Sequence, residues 1–320
     1  MKKDHLYFLA DLRRETRDFF LRRGYLEVVT DIALRHTSSE KYLYPFYCDL
    51  EDLNGRKKSD LFLRFSSELA MKKILAKGYK KIFELGPCFR NRESQSPLHR
   101  NEFWMLEWYH VGSSLDDIIE EMRELINHLA SSLLGRTNIV RDGCEVSLKN
   151  CDWTEWTVAQ AVKKWADIDF QQLKNWEDLI PLVEKKSGLS NLSLDDAFYW
   201  LFLNDVEPHL AKCGACVIRD YPSFQSGFAK LFPDGRYAHR FEAYVAGVEL
   251  ANGFLELTNA KEQESRMLEN LKWANSEKIS NNGIDKDFID AVAKMPQSCG
   301  VALGFDRLAM ILYESQSLLS

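Results

Sequence analysis

The chain has 320 residues, 45% of them hydrophobic and 28% charged, with a net charge of −6 and a pI near 5.7. That length buries one large core or two modest ones, and the acidic balance excludes a broad electrostatic footprint for nucleic acid, leaving at most local basic patches. No apolar run approaches the ~20 residues of a membrane span, and the opening MKKDHLYFLADLRRE interrupts its own apolar run with Asp11 and arginines, so a cytoplasmic protein with no membrane partner is expected.

In chain order, residues 3–23 carry an apolar stripe (Leu6, Leu9, Leu12, Phe19, Phe20) that predicts a helix stopped at Gly24, followed by a short strand at Leu26–Val29. Residues 36–60, rich in Ser, Tyr and charge, predict a mobile connection with a turn at Asn54-Gly55. LFLRF (61–65) reads as a strand, after which Ser66-Ser67-Glu68 caps a helix running to Gly78. KIFELG (81–86) is the next strand. It leads into FRNRESQSPLHRNEFWMLEWY (89–109), a polar loop between two strands. On the returning strand Phe103, Met105, Glu107 and Tyr109 share one face and Trp104, Leu106 and Trp108 the other. Glu107 therefore lies among apolar and aromatic groups, where an unpaired carboxylate costs several kcal/mol, so a cation is expected to meet it.

The stripe from Leu115 to Leu133, opened by Ser114-x-x-Asp117, predicts a long helix with a capping box. Residues 150–206 are helical in pattern and rich in Trp. Strand patterns return at ACVIRDY (215–221) and in HRFEAYVAGVELANGFLEL (239–257), where Ala246-Gly247 predicts a hairpin. A two-residue loop there puts Glu242 and Glu249 on one face, and Asn252, Phe254 and Glu256 join that face only through a bulge, expected near Gly253. A charged helix (261–276), a short helix (286–294), the strand GVALG (300–304) and the helix FDRLAMILY close the chain. Long strands joined by hairpins with helices outside indicate an α+β fold on an antiparallel sheet. The seven cysteines are scattered and odd in number, as reduced thiols are. Cys213-Gly-Ala-Cys216 with His209 has no further partner at zinc-ligand spacing.

Glu242, Glu249 and Glu256 lie within fifteen residues with few cations near them in sequence, a grouping that asks for a divalent metal, a ligand cation or protons. Arg90 and Arg307 offer guanidinium forks for phosphate or carboxylate, and Gly300 and Gly304 would let a nucleotide approach the backbone. Neither a P-loop nor a Rossmann glycine motif is present. Together these residues indicate an ATP-using, magnesium-dependent enzyme that binds an amine.

Phe-Arg-Asn-Arg-Glu (89–93) with His-Arg-Asn-Glu-Phe (99–103) resembles motif 2 of the class II aminoacyl-tRNA synthetases, and GVALGFDRL resembles their motif 3. The first helix with Gly24-Tyr-Leu-Glu-Val-Val-Thr30 is similar to motif 1. ELANGFLEL, EFWMLEWY and FEAYVAGVEL narrow the resemblance to the lysyl branch, and within it to the elongation factor P–(R)-β-lysine ligases. It implies an α+β class II catalytic core, with an antiparallel sheet of six or seven strands flanked by helices. It further implies one domain over 1–320 with a helical insertion at about 145–210, no anticodon-binding domain, and a homodimer.

The activity implied is formation of an aminoacyl-adenylate from ATP and (R)-β-lysine or lysine, then transfer to a lysine side chain of elongation factor P, with tRNA not expected as partner. Carried over by position, Arg90 and Arg307 are the catalytic residues. Asn91, Arg92, Glu93, His99, Arg100, Phe103, Glu249, Leu250 and Gly304 join them at ATP, with Phe103 under adenine and Arg307 over it. Glu242 and Glu249 hold Mg2+. Ser66, Ser67 and Glu68 meet the substrate's backbone end, Glu107, Tyr109, Asn252, Phe254 and Glu256 its distal ammonium, and Ala302 reshapes the pocket where lysyl-tRNA synthetases tend to have glycine. Arg92 stands where motif 2 usually has its glutamate, Asp31 where motif 1 has proline, and Ser67 and Asn101 where prolines are common. The rival readings are a truncated lysyl-tRNA synthetase charging tRNA or another carrier, and a catalytically silent regulatory paralogue.

Overall fold

The computed structural model describes residues 4–37, 40–94 and 96–319. In chain order it contains α1 (His5–Arg22), β1 (Leu26–Glu27), β2 (Ala33–Leu34), β3 (Tyr47–Glu51), β4 (Lys57–Leu63), α2 (Glu68–Leu75), β5 (Lys81–Phe89), β6 (Glu102–Val111) and α3 (Leu115–Leu134). There follow β7 (Asn138–Arg141), β8 (Cys144–Ser147), β9 (Thr154–Thr157), α4 (Val158–Ala166), α5 (Leu179–Ser187), α6 (Leu194–Leu201) and α7 (Glu207–Leu210). The chain then forms β10 (Ala215–Pro222), β11 (Tyr237–Val245), β12 (Val248–Leu255), α8 (Ala260–Ser276), α9 (Lys286–Val292), β13 (Ser298–Gly304) and α10 (Phe305–Leu312). Lys3, in the predicted first helix, lies outside the described residues.

The main sheet has eight strands in the order β1-β5-β6-β13-β12-β11-β10-β9. The six central strands pair antiparallel, while β1 on β5 and β9 on β10 are parallel. The expected six or seven strands thus gain short parallel edges. The segment 36–60 differs more: it contains β3, which forms a hairpin with β4 around a turn at Asp52–Gly55 instead of a structureless connection.

Strand alternation assigns the two faces. Phe83, Trp108, Val217, Phe241 and Val301 point to one side, where α1, α3 and α10 bury Phe20, Met122 and Leu308 against them. The opposite face is covered only at its flanks. Met71 and Leu75 of α2 pack on Ile82 and Tyr109, and the helical insertion packs Val162, Phe198 and Leu201 on Ile218, Tyr221 and Tyr244. Between these flanks the middle of the sheet is left open as a floor.

The β11–β12 hairpin closes with Ala246 and Gly247 at φ 50° and 77°, as a two-residue loop requires. The bulge falls at Leu250, not at Gly253: Tyr244 pairs with Glu249 and Ala243 with Ala251, leaving Leu250 extra. Leu250 and Ala251 then both enter the main core, and Glu242, Glu249, Asn252, Phe254 and Glu256 come to one face. Gly253 is needed for another reason. A Cβ there would lie 2.3 Å from the Phe241 ring and 2.9 Å from the Gly300 carbonyl. Gly253→Ala is therefore expected to lower stability by roughly 1–3 kcal/mol, read as a shift in the denaturant midpoint at unchanged slope.

Candidate active site

A cavity of about 610 Å³ stands on the open face of the sheet, between α2 and the insertion. Its floor comes from β6, β13, β12 and β11, and its charges are divided between two ends.

At one end are guanidinium groups. Arg90 leaves β5 with its guanidinium 5.1 Å from the centre of the Phe103 ring, and its buried Nε has no hydrogen-bond partner. Arg307, in the first turn of α10, donates to the Glu249 carbonyl at 2.8 Å and lies 3.4 Å from the Glu249 carboxylate. Its Nη2 also lies 3.1 Å from His99 Nε2. Burial, then the Arg307 charge, hold His99 below its ordinary pKa, so the imidazole is the neutral partner of that contact. Glu242 takes Arg240 on one oxygen at 2.7 Å and the Tyr244 hydroxyl on the other at 2.8 Å. Burial and the neighbouring Glu242 charge push Glu249 up, with Arg307 and Arg240 pulling it down.

At the other end are acceptors. Glu256 is 1% exposed and its Oε2 forms an ion pair with Lys72 Nζ at 2.6 Å; both of its oxygens are buried without a partner in hydrogen-bond geometry, as is Asn252 Oδ1. Glu68 meets the same Lys72 at 2.5 Å. Gly300 serves this floor and not a nucleotide: a Cβ there would lie 2.3 Å from the Tyr109 ring and 2.5 Å from Glu256 Oε1.

Of the residues that the resemblance assigns to ATP, substrate or metal, Asn91, Arg92, Ser67 and Glu107 fall outside the cavity wall, and the others line it. Arg92 lies over the Tyr44 ring at 4.4 Å, and Asn91 is tied to the Tyr44–Pro45 backbone, while Glu93 faces the cavity. Arg100 lines the wall but donates to the carbonyls of Leu318 and Leu319, both at 2.9 Å. Glu107 lies beneath the wall. Among the described residues no cation meets it; it accepts from the Ser67 N–H at 2.7 Å and the Ser66 hydroxyl at 3.0 Å. Those bonds anchor the turn that opens α2 and so place Glu68. Sequence reasoning missed Arg240 and Lys72, although both carried a signal: Arg240 is two residues from Glu242 on a strand, and Lys72 four from Glu68 on a helix. Tyr42 and Tyr199, also in the wall, carried none.

A family model described as "tRNA synthetases class II (D, K and N)" matches residues 2–319. The chain belongs to that family. Among its relatives, the elongation factor P–(R)-β-lysine ligase of Erwinia tasmaniensis is 32% identical over 316 residues, 97% of this chain and 91% of the relative. The ligase of the same name from Proteus mirabilis is 33% identical over 309 residues, covering 94% and 89%. The lysine–tRNA ligase of Thermoanaerobacter pseudethanolicus is 32% identical over 309 residues, covering 94% of this chain and 60% of the relative. The class II core thus accounts for the antiparallel sheet flanked by helices. Among the described residues no helix is long and apolar enough to cross a membrane.

Burial pushes Glu107 up to about 7 from an ordinary 4.5, against the pull of its serine hydrogen bonds. The folded protein holds this proton more tightly than the unfolded chain. Its contribution to stability is thus full below about pH 4.5 and is lost as pH rises through about 7. Glu107→Gln, whose one oxygen can accept from the Ser67 N–H while its NH2 donates to a rotated Ser66 hydroxyl, is expected to flatten this fall, gaining at most about 3 kcal/mol at pH 8. Melting temperatures of the ligand-free protein at pH 5, 7 and 8 check this.

Proposed function

We propose that this chain activates (R)-β-lysine, or lysine, with ATP and transfers the acyl group to a lysine side chain of elongation factor P. The observation that carries the reading is the pair of buried acceptors, Glu256 Oε1 and Asn252 Oδ1, in the same cavity as the unpartnered Nε of Arg90. An amino acid with a second ammonium would satisfy the acceptors, and the α-phosphate and carboxylate would satisfy the guanidinium.

In the first step a carboxylate oxygen of the amino acid attacks the α-phosphorus and the bond to the β-phosphate oxygen breaks, releasing pyrophosphate. Arg90 would steady the negative charge that builds on the α-phosphate oxygens, and Arg307, held by the Glu249 carbonyl, the outer phosphates. In the second step the acceptor amine attacks the activated carbonyl carbon, loses a proton, and AMP leaves. No protein nucleophile is needed; the residues act by position and charge. Glu242 and Glu249 fit a magnesium ion shared with the triphosphate, since they are hard oxygen donors whose mutual repulsion a cation relieves. Magnesium there would offset phosphate charge. Among the described residues no larger set of metal ligands is gathered.

Identity is equal toward the protein ligases and the tRNA ligase, so the acceptor is argued from charge and shape. The insertion, 145–210, holds twelve acidic and six basic residues and so accounts for the chain's whole net charge of −6. Its Asp196 stands in the cavity wall. A polyanion would be repelled at that mouth, whereas a protein lysine is attracted. Ala302 adds a methyl to the floor near the substrate's backbone end, a lever for β- over α-lysine. We further propose one catalytic unit working as a homodimer through the motif 1 segment, where Leu26, Val29 and Ile32 are exposed.

Pyrophosphate exchange run with lysine and both β-lysine enantiomers, followed by label transfer to elongation factor P, tests the reading. Exchange fastest with (R)-β-lysine and transfer to the factor are expected; efficient charging of tRNA instead would overturn it. Arg90→Ala should lower exchange by roughly 100-fold or more. Glu256→Gln should raise KM for the amino acid roughly tenfold or more while leaving that for ATP within about twofold.

A further inference from the structure

The residue that the proposed mechanism leaves unused is Lys72. It is 1% exposed and does not line the cavity, yet its ammonium touches two carboxylates that do: Glu68 at 2.5 Å from the preceding turn of α2, and Glu256 at 2.6 Å from the end of β12. The Phe228 ring lies under it at 4.7 Å. Burial opposes its charge, but Glu256 and Glu68 outweigh that and keep it protonated.

We propose that Lys72 is a positioning residue for the amine ends of the substrate, a single internal ammonium that ties Glu68 to Glu256 and fixes both carboxylates at the cavity wall. The inference rests on the reading of the cavity as a diamine site. Two features make the tie more than a structural ion pair. Lys72 pairs with Glu256 through Oε2, and this turns Oε1 toward the Tyr109 ring, in the space that Gly300 keeps clear. It also reaches Glu68, so one ammonium holds both carboxylates that face the cavity at this end. Burial raises Glu256 to about 8 even beside Lys72, whose charge is the strongest influence against that rise; removing Lys72 pushes the carboxyl further toward its protonated form, which offers a ligand ammonium less. Specificity for a second amine is then a property of three elements held together, not of Glu256 alone.

The test compares Lys72→Met, Glu256→Gln and their combination, with Lys73→Met as control, since Lys73 pairs with Asp285 away from the cavity. Exchange kinetics give KM and kcat, and calorimetry gives the Kd for lysine without ATP. Expected for Lys72→Met is a rise of roughly tenfold or more in amino-acid KM and Kd, with ATP KM within about twofold. The double variant should lie within about threefold of Glu256→Gln, because both changes act on the same acceptor. A matching loss of kcat with both KM values unchanged, or multiplicative effects in the double variant, would overturn the tie. If Lys72→Met does not fold, Lys72→Arg takes its place, and restored folding with a weakened Kd for lysine supports the tie while an unchanged Kd overturns it. A wild-type chain that binds lysine but exchanges with no lysine-type amino acid removes the enzymatic reading, and weaker binding by Lys72→Met but not Lys73→Met still upholds the tie. A wild-type chain that neither binds nor exchanges overturns both.

Discussion

Three buried carboxylates, two of them on one buried ammonium, form the point on which the rest of this molecule rests. Burying a carboxylate is costly unless it is paired or well hydrogen-bonded, and each is provided for differently. Glu107 has the Ser66–Ser67 turn, and Glu68 and Glu256 have Lys72. A fourth, Glu84, stands directly across from Glu107 on β5, but Arg64 meets it at 2.7 Å and the Thr30 hydroxyl at 2.8 Å. Arg64 fits there because Gly86 has no side chain, a Cβ lying 2.4 Å from its Nη2. The neighbouring charge is thereby cancelled, and the remaining excess of negative charge is confined to the cavity floor.

The cavity presents the inverse of the charge pattern of an amino acid on its way to an adenylate. On the proposed reading, guanidinium groups would face carboxylate and phosphate, and acids the amines. The sheet makes that separation possible. Covered by one hydrophobic layer behind and by α2 and the insertion at its flanks, it holds both ends on one rigid floor. Distances between the ends are set by strand geometry and not by loops, which suits chemistry that depends on placement.

Much of this was legible in the sequence because it follows from periodicity. The faces of β6, the two-residue hairpin loop and the Ser114 capping box are each dictated by a few neighbouring residues. What was not legible depended on partners far apart in the chain. Glu107 was expected to need a cation, since nothing local shows that two backbone-anchored serines forty residues away would supply its hydrogen bonds. Gly300 was read as room for a nucleotide, whereas the space is taken by Tyr109 and Glu256 from two other strands. The bulge was foreseen from the parity of Glu249 and Asn252 but misplaced, because Gly253 drew attention while packing under Phe241 decided its role.

The extra residue at Leu250 has a geometric corollary. Strand residues advance ~3.3 Å each, and Glu249 and Asn252 face the same way although three positions separate them. A regular strand allows only even intervals between such groups, so β12 can be graduated in odd steps only through this irregularity. The hairpin is therefore a ruler on which one extra residue sets the spacing between Glu249, at the arginine end of the cavity, and Asn252, at the end where acceptors gather.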